Sequence, residues 1–457
     1  MAEQGSAAAG ARMQGAGGAA MRYLSSRGKA PEVSFSEAVA TGLAPDGGLY
    51  LPVRLPAVDP TRFAAAPSLP DVATGALAGL VAGDRLQHLL GDISRAALDF
   101  PAPTTVVDGA ADPLFALELF HGPTAAFKDF GARFLAESLE RIEAPGGRSA
   151  AGSPMTILVA TSGDTGGAVA AAFHRRPWVR VVILYPKGLV SPRQERQLTC
   201  WGDNVASLRI DGTFDDCQRL VKEAFNDPAL RARHRLSSAN SINVGRLLPQ
   251  TVYYAASSLE IRKRTGSEPS YIIPAGNLGN AFAAMWARGM GFPIGRIVLA
   301  HNRNRTVPDF FRTGVWEPRA SVATLASAMD VGNPSNMERV RALYPSIDGI
   351  REHLSADSVD DATIRARIGE DFMRYGREWC PHTATAAEIY ARLPSAERRA
   401  HPWVVVATAH PAKFNEIVEP IIGKKVSVPD SLARLLALPQ HFKDLPPTLG
   451  ALAAALE

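Results

Sequence analysis

The run Met155-Thr-Ile-Leu-Val-Ala160, Thr161-Ser-Gly-Asp-Thr-Gly-Gly167, Ala168-Val-Ala-Ala-Ala-Phe173 decides the fold class. A nearly uninterrupted apolar run reads as a strand covered on both faces. The glycine-rich residues after it read as a tight turn, and the alanine-rich continuation as the start of a helix. The unit recurs at Tyr271-Ile-Ile273, Pro274-Ala-Gly-Asn-Leu-Gly-Asn280 and Ala281-Phe-Ala-Ala-Met-Trp286. Further apolar strands are expected at 179–185, 206–210, 296–300 and 403–407. Helices are expected at 131–141 and at 214–225, where Asp215 and Asp216 suit the positive end of the helix dipole. Strands buried on both faces and alternating with helices predict an α/β fold with mostly parallel sheets. Two separated strand–glycine–helix units predict two α/β domains with a cleft between them.

Working outward, the expected organisation is a disordered extension over 1–20, a turn-rich segment over 21–110, a small α/β domain over 111–265, a large α/β domain over 266–430, and a short tail with helical pieces over 431–457. The small-residue stretch at the front lacks the basic region and apolar core of a signal peptide. The 457 residues carry 49 basic and 45 acidic side chains, and the net +4 is nearly balanced over that length. The signs are interspersed, so nucleic acid is not an expected partner. No apolar run is long enough to span a bilayer, and no obligate protein partner is implied. Cys200, Cys217 and Cys380 are far apart and form neither a disulfide framework nor a metal clip. A cytoplasmic location and no metal are therefore expected.

A glycine loop feeding a helix is an anion site, because backbone N–H groups converge there and the helix dipole adds its positive end. Neither loop is GxGxxG or GxxxxGK[ST], so dinucleotides and nucleoside triphosphates fit poorly and a small phosphate is left open. Tight-turn packing is the alternative reading for each loop. A third stretch, His121-Gly-Pro-Thr-Ala-Ala-Phe-Lys-Asp-Phe130, sets Lys128 between two phenylalanines just after a Gly-Pro turn. Lys128 is either a solvated group snorkelling past apolar neighbours or an amine held in a desolvating pocket, where its neutral form can attack a carbonyl. Asp129 either tunes that lysine or caps the helix after it. A Schiff-base lysine, a loop for a monophosphate and a polar turn for a carboxylate are together what pyridoxal phosphate chemistry requires.

These stretches, with Asp46-Gly-Gly-Leu-Tyr50, Asn240-Ser-Ile-Asn243 and Thr408-Ala-His-Pro-Ala-Lys-Phe414, resemble threonine synthase of the longer bacterial and fungal type. That family lies within fold type II of the pyridoxal-phosphate enzymes, which are tryptophan-synthase-β-like. The similarity runs from Met21 to about Pro429. It implies pyridoxal 5'-phosphate as cofactor and a lyase that converts O-phospho-L-homoserine and water into L-threonine and inorganic phosphate. It places the Schiff-base lysine at Lys128 and the cofactor phosphate on Gly276, Asn277, Leu278, Gly279 and Asn280. Thr408 is expected opposite the pyridine nitrogen, and Ser162, Asp164 and Thr165 beside the cofactor and substrate carboxylate. Asn240 is a further substrate contact. Ala275 departs from the serine common there, removing one possible hydroxyl contact.

Lys187 and Arg193, after a strand end, are candidates for the substrate phosphate, with an ordinary solvated loop as the alternative. His382 and His410 are left without a role, since backbone hydrogen bonds could satisfy both. Of three rival functions, a structural or interaction protein would leave the repeated loops idle, and two others share parts of this pattern. A dehydratase or cysteine-synthase-like enzyme would keep Lys128 and a glycine loop but act on a substrate without a γ-phosphate. A phosphate-binding regulatory module would keep the loops and need no reactive amine.

Overall fold

The computed structural model describes residues 20–63, 67–108, 113–144 and 154–457. The expected extension over 1–20, all but its last residue, and most of the break expected at 144–154 lie outside the described residues. Two sheets carry the architecture. Five strands run in the order Lys443–Leu445, Val205–Ile210, Val179–Pro186, Met155–Ala160 and Arg235–Ser238, all parallel. Six more run in the order Leu354–Ser358, Ile297–His301, Ser270–Pro274, Trp403–Ala407, Leu114–Glu118 and Thr104–Asp108. Only the last pair of these is antiparallel. The expected fold class, two mostly parallel α/β units, is the one observed.

The strands read as continuous apolar runs because each face meets a different core. In Met155–Ala160, Met155, Ile157 and Val159 enter one apolar cluster, and Leu158 and Ala160 enter another. In Trp403–Ala407, Val404 and Val406 join that same first cluster, whereas Trp403, Val405 and Ala407 face a third. The period-2 alternation of side chains thus sorts a uniform run into inner and outer cores. The inner cluster is shared by both sheets and also takes in Tyr23, Phe35, Leu77 and Ile93 from the N-terminal segment. That segment is a short antiparallel ribbon, Tyr23–Ser25 with Tyr50–Pro52, and helices that pack on the helix after Lys128.

Two expectations on organisation are corrected. Strand Leu114–Glu118, assigned from sequence to the unit over 111–265, pairs in parallel with Trp403–Ala407 and belongs to the six-stranded sheet. Alternation identifies a strand, but a partner nearly three hundred residues away is fixed only by tertiary packing. The tail over 431–457 carries the expected helical pieces but also adds strand Lys443–Leu445 to the edge of the five-stranded sheet, and its last helix, Leu449–Leu456, covers the outer face. Arg180 reaches that helix and donates to the carbonyls of Ala455 and Leu456, satisfying groups that a helix end leaves open. At 214–226, by contrast, the local signal was sufficient. Thr213 and Asp216 form a capping box there, and the helix runs as expected.

Leu452 is fully buried against this outer core. Leu452→Ala is expected to cost about 2–5 kcal/mol, read as a lowered urea midpoint. A detached tail would instead leave the midpoint within about 0.5 kcal/mol of the parent.

Candidate active site

Lys128 is the first residue of helix Lys128–Glu143. The chain enters it through the Gly122-Pro123-Thr124 turn, where Ala125 takes φ 54, a left-handed conformation that non-glycine residues seldom adopt. Asp129 holds the turn: its carboxylate accepts the Thr124 N–H at 2.9 Å and the Thr124 hydroxyl at 2.6 Å. Asp129 therefore closes the turn ahead of the helix and does not face the lysine amine. The Phe127 N–H donates to the Thr408 carbonyl at 2.9 Å, and Ala126 bridges to Ala409. The entry to Lys128 is thereby tied to the end of strand Trp403–Ala407.

The Lys128 Nζ donates to the Thr165 hydroxyl at 2.7 Å and lies 5.2 Å from the Phe127 ring centre. Desolvation by the surrounding walls pulls its ammonium down to about 8, with Arg246 and Lys413 adding repulsion and Asp164 opposing. The apolar surroundings expected from sequence come only in part from the flanking phenylalanines. Phe130, two residues on, points into the core against Phe100 and Tyr253, as positions i and i+2 on a helix must diverge.

Asp164 opens helix Asp164–Phe173, next to Lys128. It accepts from the Lys413 Nζ at 2.8 Å and the Gln194 amide at 2.9 Å. Despite burial, these contacts and the fields of Lys413 and His382 hold its carboxyl down at about 2. The turn before it needs a glycine: Gly163 sits at φ 137, and a Cβ there would lie 2.5 Å from the Gln194 amide. Lys413, wholly buried, also donates to the Thr124 carbonyl at 2.8 Å.

The second glycine loop follows strand Ser270–Pro274 and opens helix Gly279–Gly289 through Leu278, which takes φ 63. Asn277 anchors it, donating to the Ser241 hydroxyl at 2.8 Å and accepting the Ser335 N–H at 2.6 Å. Asn280 Oδ1 accepts the hydroxyls of Tyr253 at 2.5 Å and Tyr254 at 2.8 Å. Its Nδ2 is left buried with no partner among the described residues. Arg246 Nε and His382 Nδ1 are orphaned in the same way. All three residues line one chamber. His382 Nε2 accepts the Ala328 N–H at 3.0 Å, which puts its proton on Nδ1. Burial pushes this imidazole down to about 4, with Asp164 opposing.

The chamber brings together Lys128, Asp164, Thr165, the whole loop Gly276, Asn277, Leu278, Gly279 and Asn280, and Thr408. It opens into a cleft of about 1060 Å³ whose walls include Ser162, Thr165 and Asn240. Lys187 and Arg193 are not among the residues that line either space. Lys187 is exposed, and Arg193 spends a donor on the Ala412 carbonyl at 2.5 Å. His410 is likewise structural, its Nδ1 accepting the Ala412 N–H at 3.2 Å beside Phe120. Sequence reading missed Arg246, Lys413 and the Ala328-Met329 wall. Lys413 carried a usable signal, a lone cation inside the apolar stretch Ala409–Phe414.

These residues fit pyridoxal phosphate. Buried donors without partners, and helix N–H groups that have none within the helix, await an anion. An amine lines the same chamber, and Thr408 offers a neutral hydroxyl. Residues 104–409 match the pyridoxal-phosphate dependent enzyme family. Residues 22–91 match the threonine synthase N terminus, and residues 383–455 the threonine synthase C-terminal family. The chain is 41% identical to threonine synthase of Escherichia coli (strain K12) over 92% of its own length and 96% of that protein's. Against threonine synthase of Haemophilus influenzae the identity is 39%, covering 89% and 93%. The crystal structure of the Escherichia coli enzyme superposes with a TM-score of 0.85 at 38% identity, covering 95% of this chain and 99% of that one. The structure of pyridoxal-phosphate-bound threonine synthase from Brucella melitensis gives 0.85 at 34% identity, covering 95% and 98%. With both its terminal segments and its central fold matched at this level, the chain belongs to the threonine synthase family of pyridoxal-phosphate-dependent enzymes.

Proposed function

We propose that Lys128 is the covalent anchor and proton carrier of the threonine synthase reaction in this chain. The reaction turns O-phospho-L-homoserine and water into L-threonine and inorganic phosphate. The observation that carries the assignment is a desolvated amine in the wall of a chamber that is also lined by a glycine loop and by buried donors without partners among the described residues. An amine held near 8 is partly unprotonated at neutral pH, as a nucleophile and base must be.

When bound, pyridoxal phosphate supplies a conjugated electron sink beside the substrate's amino group. The amides of Gly276 to Asn280 and the Asn280 Nδ2 would hold its phosphate. Thr408 would offer the ring nitrogen a hydroxyl, which bonds without forcing protonation as a carboxylate would. Lys128 would carry protons at the substrate's Cα and Cβ in turn, giving up the first before it takes the second. Ser162, Thr165 and Asn240 offer polar groups for the substrate carboxylate. Asp164, itself an anion paired to Lys413, repels a second carboxylate, so it shapes the wall and is no seat for one.

With Lys187 and Arg193 out of reach, the substrate phosphate needs other cations. Arg27, Arg219 and Arg319 in the cleft are spent on Glu338, on Asp216 and Glu223, and on Asp309. Arg341 and Lys222 line the cleft with no carboxylate at ion-pair distance among the described residues. Arg341 is held over the Phe310 and Trp316 rings at 4.8 and 4.9 Å. It is the rigid, partly desolvated cation of the two, suited to bidentate phosphate binding.

Lys128→Ala is expected to lower kcat by at least about 10²-fold at saturating cofactor. Borohydride reduction and peptide mass mapping of the parent should place the pyridoxyl group on Lys128. An adduct on another lysine overturns the assignment. A Cβ on Gly276 would sit 2.8 Å from the Met329 Cα. Gly276→Val should therefore displace the loop and weaken pyridoxal phosphate binding about ten-fold or more, read by equilibrium dialysis. Unchanged affinity would point to a different phosphate seat. Arg341→Ala should raise KM for O-phospho-L-homoserine about ten-fold and leave cofactor affinity unchanged, and an unmoved KM removes Arg341 from the substrate site.

A further inference from the structure

Lys413 stands where three segments meet. It lies just past strand Trp403–Ala407 and Thr408, in the turn Pro411–Phe414. Its ammonium, fully buried, is shared between the Asp164 carboxylate and the Thr124 carbonyl, each at 2.8 Å. Asp164 begins the helix after the first glycine turn, and Thr124 begins the turn that delivers Lys128. The Gln197 amide donates to the same Thr124 carbonyl at 3.0 Å, and the Ser191 hydroxyl to the Lys413 carbonyl at 3.0 Å. A buried ammonium is costly, and hydrophobic packing alone would hold these segments more cheaply. The charge itself therefore calls for an explanation.

The explanation lies in what surrounds Lys128. The charged and titratable groups acting on its amine are Asp164, Arg246 and Lys413. His382, next to Asp164, is neutral at pH 7, and the Asp129 carboxylate is turned away onto Thr124. Asp164 is thus the anion that draws a proton onto Lys128. Resting on the assignment of Lys128 above, we infer that Lys413 is a positioning residue of the reaction, one that acts on Lys128 both by compensating Asp164 and by its own nearby positive charge. By neutralising that carboxylate and pinning it away from the amine, it keeps the Lys128 nitrogen available as nucleophile and base, while its bond to Thr124 fixes the turn carrying it. Lys413 touches neither substrate nor cofactor in this role.

The test follows the pH dependence of the visible absorbance of the cofactor-loaded protein, alongside the pH profile of kcat. In Lys413→Met, Asp164 is left uncompensated. Positive charge on the Lys128 nitrogen is then favoured, and the midpoint should move up by about one pH unit or more. Lys413→Arg keeps a cation there and should stay near the parent midpoint. Asp164→Asn leaves Lys413 unopposed and should move the midpoint down, and the double variant Lys413→Met with Asp164→Asn should return it toward the parent value. A purely structural lysine would lower kcat or stability in all of these and leave every midpoint in place, which overturns the inference. If Lys413→Met does not fold, the Asp164→Asn variant and the double variant decide it between them, because an equal midpoint in both also overturns it. Failure of the Lys128 assignment is seen separately, as a parent protein whose reduced adduct maps to another lysine.

Discussion

A lysine can serve as an amine near neutral pH only if it is withdrawn from water without being handed to a carboxylate. Much of the molecule around residue 128 meets that constraint. Withdrawal is partial and comes from its place at the cleft wall: Lys128 is half-buried, while the helix it opens packs against the N-terminal helices and the shared inner core. Separation from carboxylates is arranged case by case. The Asp129 charge is absorbed by the Thr124 turn, and Asp164 is held by Lys413 and Gln194. Both glycine turns lie at the carboxyl ends of parallel strands, so the chamber forms where an open α/β sheet leaves a crevice. Here two sheets supply one crevice.

The fold was legible wherever local patterning suffices. Apolar runs followed by glycine turns marked the strands at 155–160 and 270–274, and an acidic first turn marked the helix at 214–226. Connectivity was not legible at Leu114–Glu118 or in the tail. In both places the strand partner lies far along the chain, and no local residue encodes it. The inner core explains the difference. One apolar cluster serves both sheets, so inward-facing alternation marks a strand without saying which sheet it joins.

The site was legible where a residue's role follows from its own turn. Lys128, Thr165, Thr408 and the loop at 276–280 converge as the motifs imply. Lys187 and Arg193 line neither the chamber nor the cleft, because a basic residue after a strand end has no signature that fixes its direction. One points to solvent, and the other to a backbone carbonyl. Lys413 was missed for the opposite reason. Its burial depends on Asp164 and Thr124, which stand some two hundred and fifty residues or more away, although a solitary cation in an apolar stretch hints that a partner exists.

Asn280 illustrates how buried polar groups acquire a function by elimination. At the start of a helix an asparagine side chain ordinarily caps its own backbone, and sequence alone leaves that reading standing. Here two phenol hydroxyls, from Tyr253 and Tyr254, occupy Oδ1. Both tyrosines are so buried that their hydroxyls stay protonated far above ordinary pH, desolvation being the main cause. Both phenols therefore act as donors, Tyr254 toward that oxygen and Tyr253 shared between it and Gln250 Oε1 at 3.2 Å. The amide plane is held by the pair, and its Nδ2 has no acceptor among the described residues. An unpaired buried N–H costs about 1–3 kcal/mol, a cost that an anionic ligand would remove. The aromatic pair thus holds Asn280 much as Lys413 and Gln194 hold Asp164, in each case by contacts made within the protein that leave the polar group little freedom to turn.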